Sequence, residues 1–550
     1  MTEDRNFKKE ITSSFVVFIL SLFYYLSYAN YGVIEGDWGM ISVGAERFLR
    51  GEVFYRDFSI LYTPGIYLYS AMFFKLLGVS LSSAMIGWSI LRAFNCLIIY
   101  LIGIEFVSRR MALILPLLLW FVPGVLHKSF FVFFLLLDIL ILIKMLSAKS
   151  KVFYFISGIA ASITLLFRVD LFGFFLIAFV IVEFMKLMSR DTKKIDYFEN
   201  APSNSPLPPF SKRGQGGIPL LKNIFSFSIG IIIGITPLAL YLLSNSAIKE
   251  AYRQTFGYSA AMKSLYFDLP PVSQIFSLNL ITIQKYIGAS FPFVLYFFIC
   301  LIIISIIITK GFRDFNEKDK KLFIVLLFGC MTLNQVIMYP GVARVGMILP
   351  PVLIVDVYLT ARYFNNKNNY LKKLRMIYSA SLGGLNALLV PFIIFSCIIP
   401  DVFMNGSFLI RFSNPAFMSD PRLHVYTTYK YADNFNKITD VIKASTKEGE
   451  YIFTFPGSYQ LYHFVTGRQP LEKYAFIGEY LKSEERQKEV IRLLEGKKVR
   501  VIIAELTLEV QKRRIWAPVL NEYIIEHYEP KQTIGPFSIL VRKEGPKSTV

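Results

Sequence analysis

The sequence is poor in several things that an ordinary soluble enzyme carries. Charged residues make up 18% of its 550 positions, against about 25% in a soluble domain, and they are clustered. The four cysteines, Cys96, Cys300, Cys330 and Cys397, all lie in apolar runs, and none forms a CxxC. Neither a metal ribbon nor a disulfide framework is indicated. The four histidines, His127, His424, His463 and His527, are scattered without metal-ligand spacing. There is no phosphate-binding Gly-rich loop ending in Lys-Ser/Thr, no dinucleotide fingerprint, no HExxH and no GxSxG. Nothing therefore points to a nucleotide-consuming cytoplasmic site.

What is abundant is apolar. Hydrophobic residues are 54% and aromatics 16% of the chain, and the mean hydropathy is +0.49. Runs long enough to cross a bilayer, about 20 residues per helix, recur along the sequence. This is the pattern of a polytopic membrane protein. The net charge of +20 would favour nucleic acid in a soluble chain. Here it fits Lys and Arg gathered in cytoplasmic loops. The first apolar run, 14–29, lacks a small-residue cleavage site and reads as a retained anchor.

Loop charge orients the spans. Arg5, Lys8 and Lys9 hold the N-terminus inside, so 30–83 emerges outside. The run 64–77 resembles a span, but counting it would put Arg109, Arg110 and the basic stretch 190–222 outside; it is read instead as an interfacial helix on the outer leaflet. Spans then fall near 84–107, 111–126, 130–146, 152–167, 171–188, 223–243, 290–309, 322–338, 345–361 and 377–399, about eleven with the first. Between them, 189–222 lies inside, 245–289 is a long external loop, and 204–218 is a Pro/Gly/Ser-rich insertion that cannot bury a core. Residues 401–550 change composition. "GEYIFTF", "KKVRVIIAE" and "FSILVRK" pattern as strands and "KSEERQKEVIRLLEGK" as a helix with i, i+4 charge pairs. The fold class expected is thus a helical membrane module, 1–400, with an extracytoplasmic α/β domain, 401–550.

The polar chemistry must come from the outer face. In "VIEGDWGMISVGAERFLRGEVFYRDF" (33–58), Glu35 and Asp37 stand where the first span has ended. Trp38, Ile41, Ala45, Phe48 and Leu49 recur at helical spacing and would lie on the membrane, with Glu46, Arg47 and Arg50 toward water. Asp37 at the N-terminus of that helix sits where negative charge is favoured. It either caps the helix or acts on an acceptor hydroxyl as general base. Asp57 follows beside Arg56. Lys128, Arg168 and Arg344 stand at the outer ends of spans, where charge is costly and is functional or paired. Arg168 can pair with Asp170, and Lys128 can snorkel to water. Arg253, in 245–289, is a further candidate for contact with substrate. The aromatic, polar stretch 455–470 either binds a glycan, supports the site from above, or is ordinary strand-loop packing.

Residues 35–78, "EGDWGMISVGAERFLRGEVFYRDFSILYTPGIYLYSAMFFKLLG", resemble the first external loop of the GT-C glycosyltransferases, in the branch of the protein O-mannosyltransferases and the lipid A aminoarabinose transferase. The match consists of Asp37, Gly51, Tyr55, Asp57, Pro64 and Gly78; Trp38 stands where many relatives place a second acid, and Glu35 precedes instead. The resemblance implies an enzyme that moves a sugar from a polyprenyl-phosphate carrier to a glycan, lipid or protein acceptor at the outer face. It implies Asp37 as the catalytic acid, with Glu35 and Asp57 beside it. Arg344, Arg168 and Lys128 would hold the donor phosphate, and Arg56, Tyr62 and Arg253 would line the substrate loop. Some relatives use a divalent cation, which here would fall at Glu35 and Asp37, though two carboxylates alone make no metal site. A cell-membrane location with the C-terminal domain outside follows. The alternatives are a lipid-linked sugar flippase or transporter, and a non-catalytic glycan-assembly protein. No internal repeat supports the first, and Glu35/Asp37 have no role in the second.

Overall fold

The computed structural model describes residues 2–33, 35–122, 126–199, 217–257, 290–301, 304, 316–335, 342–365, 382–392, 411–412, 415–455, 459–471, 481, 483–505 and 517–543. In chain order the helices are α1 (Thr2–Leu26), α2 (Glu35–Leu49), α3 (Pro64–Leu77), α4 (Leu81–Gly103), α5 (Arg109–Ala112), α6 (Ile114–Phe121), α7 (Ser129–Ser147), α8 (Lys151–Phe167), α9 (Val169–Glu199), α10 (Gly217–Ser244), α11 (Ile248–Tyr252), α12 (Ser290–Leu301), α13 (Glu317–Thr332), α14 (Val342–Asn365) and α15 (Leu382–Phe392). A strand-containing part follows: β1 (Pro415–Met418), β2 (Val425–Thr428), α16 (Tyr429–Ser445), β3 (Tyr451–Phe455), α17 (Gln460–Thr466), β4 (Gln469–Pro470), α18 (Glu484–Gly496), β5 (Val501–Glu505), α19 (Pro518–His527), β6 (Tyr528–Ile534) and β7 (Phe537–Arg542). Among the described residues, six helices are long and apolar enough to cross a membrane, and three shorter apolar ones accompany them. The chain is a polytopic helical membrane protein with a C-terminal α/β part.

The chain divides into two compact units. The first comprises Met1–Ser27, Trp88–Leu240 and Tyr266–Ser407. At its centre is α14, whose apolar window Arg344–Arg362 is 89% buried, whereas the window Leu221–Ser244 of α10 is 11% buried. α14 is therefore an inner pillar, and α10 offers an apolar face to lipid. Close helix approach relies on small residues. A β-carbon on Gly158 of α8 would stand 2.2 Å from the Phe227 carbonyl oxygen of α10, and one on Gly230 2.1 Å from that of Phe155. The expected span 111–126 is broken into α5 and α6, because Pro116 supplies no N–H for the Ala112 carbonyl. Charge collects at the ends read as cytoplasmic. Glu105 takes Lys144 and, at 2.8 Å, Lys321, and Arg362 reaches Asp319 at 3.5 Å. Burial alone would raise the Glu105 carboxyl; the two lysines outweigh it and hold it below its ordinary value.

The second unit comprises Tyr28–Gly87, Tyr241–Leu265 and Phe408–Val550, so the C-terminal segment shares one compact body with the first loop. Its sheet runs β4-β3-β5-β7-β6, with β3 parallel to β4 and β5, and β7 antiparallel to β5 and β6. Phe453, Phe455 and Ile502 of the sheet pack on Val490 and Leu494 of α18 and Leu520 and Ile524 of α19, giving a buried core. The three strands and the helix legible in this region are present as β3, β5, β7 and α18. The hairpin β1–β2 is stitched to the loop. Gly32 N–H donates to the Tyr426 carbonyl at 2.8 Å, Tyr426 N–H to Asn30 at 2.7 Å, and Leu81 N–H to Arg422 at 2.8 Å. The Tyr31 and Tyr426 rings stack at 4.6 Å.

Two expectations change here. Residues 248–257 are helical, α11 continuing into a π-turn at Arg253–Gly257, rather than open loop; 258–289 lie outside the described residues. The stretch 455–470, whose aromatic and polar composition has a loop character, contains helix α17, ended by Gly467 at φ +70. The insertion 204–216 and Cys397 also lie outside the described residues.

Candidate functional site

The acid of interest sits on α2. The helix begins at Glu35, so Asp37 is its third residue and not its N-cap. Its carboxylate still lies in the first turn, where exposed N–H groups and the helix dipole favour negative charge. The Tyr62 hydroxyl donates to Asp37 Oδ1 at 3.5 Å, the long limit of a hydrogen bond. Both side chains are half-buried. Burial pushes the neighbouring Tyr67 phenol above its ordinary value, and the Asp37 charge acts in the same direction. The side chain of Glu35 lies outside the described residues. Among the described residues, no three His, Cys, Asp or Glu side chains gather as a metal site.

The apolar stripe of α2 faces protein rather than lipid, except at its last residue, Leu49, which is exposed. Trp38, Ile41 and Ala45 are fully buried. Gly44 meets the Tyr67 ring of α3, where an added β-carbon would lie 2.5 Å from Cδ1. Gly39 meets the backbone of α17, 2.1 Å from Leu461 N by the same measure. Arg422 fixes the far end of α2, with Nη1 donating to Glu46 at 3.1 and 3.2 Å and to the Phe464 carbonyl at 2.8 Å. Within 455–470, α17 packs its backbone against α2, the helix that carries Asp37. Its His463 is buried, and that burial pushes the imidazole down to about 4, so it is neutral near pH 7.

After α2 the chain makes a tight turn. Asp57 takes Arg56 through two contacts, Nε–Oδ1 at 2.8 Å and Nη2–Oδ2 at 2.9 Å, and accepts the Val53 N–H at 2.8 Å. The Arg56 guanidinium holds the Asp57 carboxyl below its ordinary value. Arg47 bonds Glu52 at 2.7 Å and the Asp57 carbonyl at 3.1 Å, and lies over the Phe58 ring at 4.7 Å. Tyr55 is buried at φ +68, a left-handed conformation costing about 1–3 kcal/mol for such a residue. Burial pushes its phenol up to about 12. Gln254 secures this strained residue, donating to the Tyr55 carbonyl at 2.9 Å and accepting the Ile60 N–H at 3.4 Å. Arg253, next to it, pairs with Glu250 at 2.8 Å and is exposed. The turn runs on to Tyr62 and then to Pro64, the first residue of α3; Gly78, at φ +95, ends that helix.

The three cations named from sequence belong to the first unit, and their settings differ. Arg168 Nε bonds Asp170 Oδ1 at 2.7 Å, and its Nη2 donates to Gln335 at 2.9 Å, with the Phe131 ring at 5.1 Å. The local ion pair is therefore present. Arg344 lies in the first turn of α14, half-buried. Lys128 is buried at 6% exposure, just before α7. It lines a cavity with Arg92, Asn95 and Ser129. Sequence reasoning missed Arg92, which lies within an apolar span; a cation inside such a run was the available signal. It also missed Gln254 and Arg422, whose partners are set by the fold, and it expects Glu46 and Arg47 toward water, whereas both side chains are largely covered and paired, Glu46 with Arg422 and Arg47 with Glu52.

No family model matches the chain, and no curated protein sequence matches it. Among solved structures, the oligosaccharyltransferase AglB from Archaeoglobus fulgidus, in complex with an inhibitory peptide and a dolichol-phosphate, is similar at 13% identity and TM-score 0.43, over 98% of this chain and 75% of that one. ArnT from Cupriavidus metallidurans bound to undecaprenyl phosphate is similar at 11% identity and TM-score 0.44, over 98% of both chains. The apo state of ArnT gives 9% identity and TM-score 0.46 over the full length of both. At these values the likeness assigns no residue and no substrate.

Proposed function

We propose that the protein is an integral-membrane glycosyltransferase that moves a sugar from a polyprenyl-phosphate carrier to an acceptor hydroxyl, with Asp37 as the catalytic carboxylate. The observation that carries this reading is the setting of Asp37. It is half-buried in the first turn of a helix that packs on α17 at Gly39 and on α3 at Gly44, and one phenol, Tyr62, reaches it. A carboxylate carried on a helix so fixed is placed to act on a substrate, and the loop that carries it resembles the GT-C pattern. In the reaction, the acceptor oxygen attacks the sugar's anomeric carbon and its proton passes to Asp37. The bond between that carbon and the phosphate oxygen breaks, and the carrier leaves as polyprenyl phosphate with the electron pair. Cations stabilise that charge; Lys128 and Arg344 are assigned this role, while Arg168 already holds Asp170. Asp57, braced against Arg56, shapes the turn, and Arg56, Tyr62 and Arg253 border the acceptor. The second unit then faces outward from the cell membrane, where such carriers present their sugars.

The test is transfer of labelled sugar from a polyprenyl-phosphate donor in proteoliposomes. Asp37→Asn keeps size and hydrogen bonding but loses basicity, and turnover should fall about 10²–10⁴-fold in folded protein. Turnover within a few-fold of wild type would remove Asp37 from the chemistry.

A further inference from the structure

The hairpin β1–β2 turns an unusual face outward. Its strands pair Phe417 with Tyr426 and Met418 with Val425. Met418, Val425 and Thr427 are buried, so Phe417 and Tyr426 share the opposite face. The outer face of a half-buried hairpin is ordinarily polar; this one is aromatic. Its rings continue in a row. Tyr31 stacks on Tyr426 at 4.6 Å, Tyr426 meets Phe417 at 4.8 Å, and Phe417 lies parallel to His424 at 6.4 Å. The Arg411 guanidinium stands over the Tyr31 ring at 5.8 Å. Phe412, the next residue, is 73% exposed, and Phe417 is 49% exposed.

What covers this row follows from the chain that leads into it. The apolar stretch Lys8–Leu26 of α1 has 19 residues, and at 1.5 Å per residue that is close to the hydrocarbon thickness of about 30 Å. Only 17% of its apolar window is buried against protein. Leu20, Phe23 and Leu26 are exposed, so its apolar side meets lipid up to the C-terminal end. Tyr24, Tyr25, Tyr28 and Tyr31 crowd that end, and Trp120 stacks on Tyr24 at 4.6 Å. Tyr and Trp gather in this way at the level of the headgroups, where a ring with a polar tip is satisfied. Beyond Leu26 the chain turns rather than extends. The Ser27 N–H donates to the Phe23 carbonyl at 3.0 Å, and the Tyr31 N–H to that of Tyr28 at 3.1 Å. Tyr31 therefore stays at headgroup depth, a layer roughly 5–8 Å thick. The hydrogen bonds of Tyr426 with Gly32 and Asn30 keep the hairpin there with it.

We propose that the β1–β2 hairpin is an interfacial anchor, with Phe412 and Phe417 seated in the phospholipid headgroup layer and the C-terminal part held to the lipid surface through them. Seating the rings removes apolar surface from water and leaves the hairpin's own hydrogen bonds intact. The anchor is independent of the glycosyltransferase reading and of the side of the membrane on which α1 ends.

The experiment uses the full-length protein at one copy per phosphatidylcholine nanodisc, with the native cysteines replaced. A nitroxide is attached in turn to Phe412→Cys, to Phe417→Cys, to Phe23→Cys as the lipid reference, and to Lys488→Cys, exposed on α18, as the water reference. Collision with molecular oxygen, which concentrates in lipid, is compared with collision with a nickel chelate, which stays in water. Labels at 412 and 417 should show an oxygen-to-nickel ratio several-fold above that at 488 and below that at 23. A ratio at 417 no higher than at 488 would place the hairpin in water and overturn the proposal. A label at 417 shielded from both probes would mean that protein covers the row, and would overturn it too. Phe412→Ser combined with Phe417→Ser should raise nickel collision of a His424→Cys label several-fold at an unchanged unfolding temperature. No rise in that variant would count against the anchor as well.

Discussion

Gly39 of α2 lies against the backbone of Leu461 in α17, so close that a β-carbon would stand 2.1 Å from the Leu461 nitrogen and 2.6 Å from the Gln460 carbonyl carbon. Neither neighbour is a side chain that can rotate away. Gly39→Ala must therefore shift one helix, at a cost of about 1–3 kcal/mol. Gly36, one helical turn earlier, has nothing within 4 Å, and Ala there should be neutral or stabilising by a few tenths to about 1 kcal/mol. Thermal unfolding of the two variants gives the comparison. Equal stability would mean that α17 does not hold α2.

Asp57 and Asp37 should separate in function. Asp57 is tied to Arg56 and to the Val53 amide, with its side chain 31% exposed. Asp57→Asn should cost no more than about 1 kcal/mol of stability, as partly exposed pairs do, and slow transfer only a few-fold. Its depressed carboxyl makes the pair's contribution present above the ordinary aspartate range and lost as pH falls through the lowered value. The variant should lack that acid-side loss in a denaturation series. A rate loss matching that of Asp37→Asn would place Asp57 in the chemistry as well.

His463 gives a second pH signature, with its own sign. Burial holds the folded imidazole at about 4, below its usual 6.5. Between those values the unfolded chain binds the proton and the folded one does not, so stability falls as pH drops from about 6.5 to 4. At full extent the loss is about 3 kcal/mol. Hydrogen exchange of α17 amides should accelerate over this window in the wild type and much less in His463→Phe. A flat wild-type profile would contradict a buried neutral histidine.

The sidedness of the chain is testable at two exposed lysines. Lys149, between α7 and α8, is predicted inside, and Lys488, on α18 and 59% exposed in its side chain, outside. With the native cysteines replaced, cysteine at 488 but not at 149 should react with an impermeant maleimide in intact cells. The reverse pattern would place Asp37 on the cytoplasmic side and remove the reading built on it.

Local pattern determined much of this protein. Apolar runs fix the spans, Pro64 and Gly78 bracket α3, and alternation marks β3, β5 and β7, because each signal acts between residues a few positions apart. Asp37 was visible for the same reason: it belongs to one continuous stretch of loop. The tertiary structure decided what meets that stretch. Glu46 finds Arg422 across 376 positions, and Tyr55 finds Gln254 across 199. Such pairs have no periodicity to read, because chain closure over those distances is governed by the packing of the whole unit and not by neighbouring residues. The same holds for the buried stripe of α2. Its spacing shows that one face is apolar, but an apolar face satisfies lipid and protein alike, and only the arrival of α3 and α17 settles which one it meets.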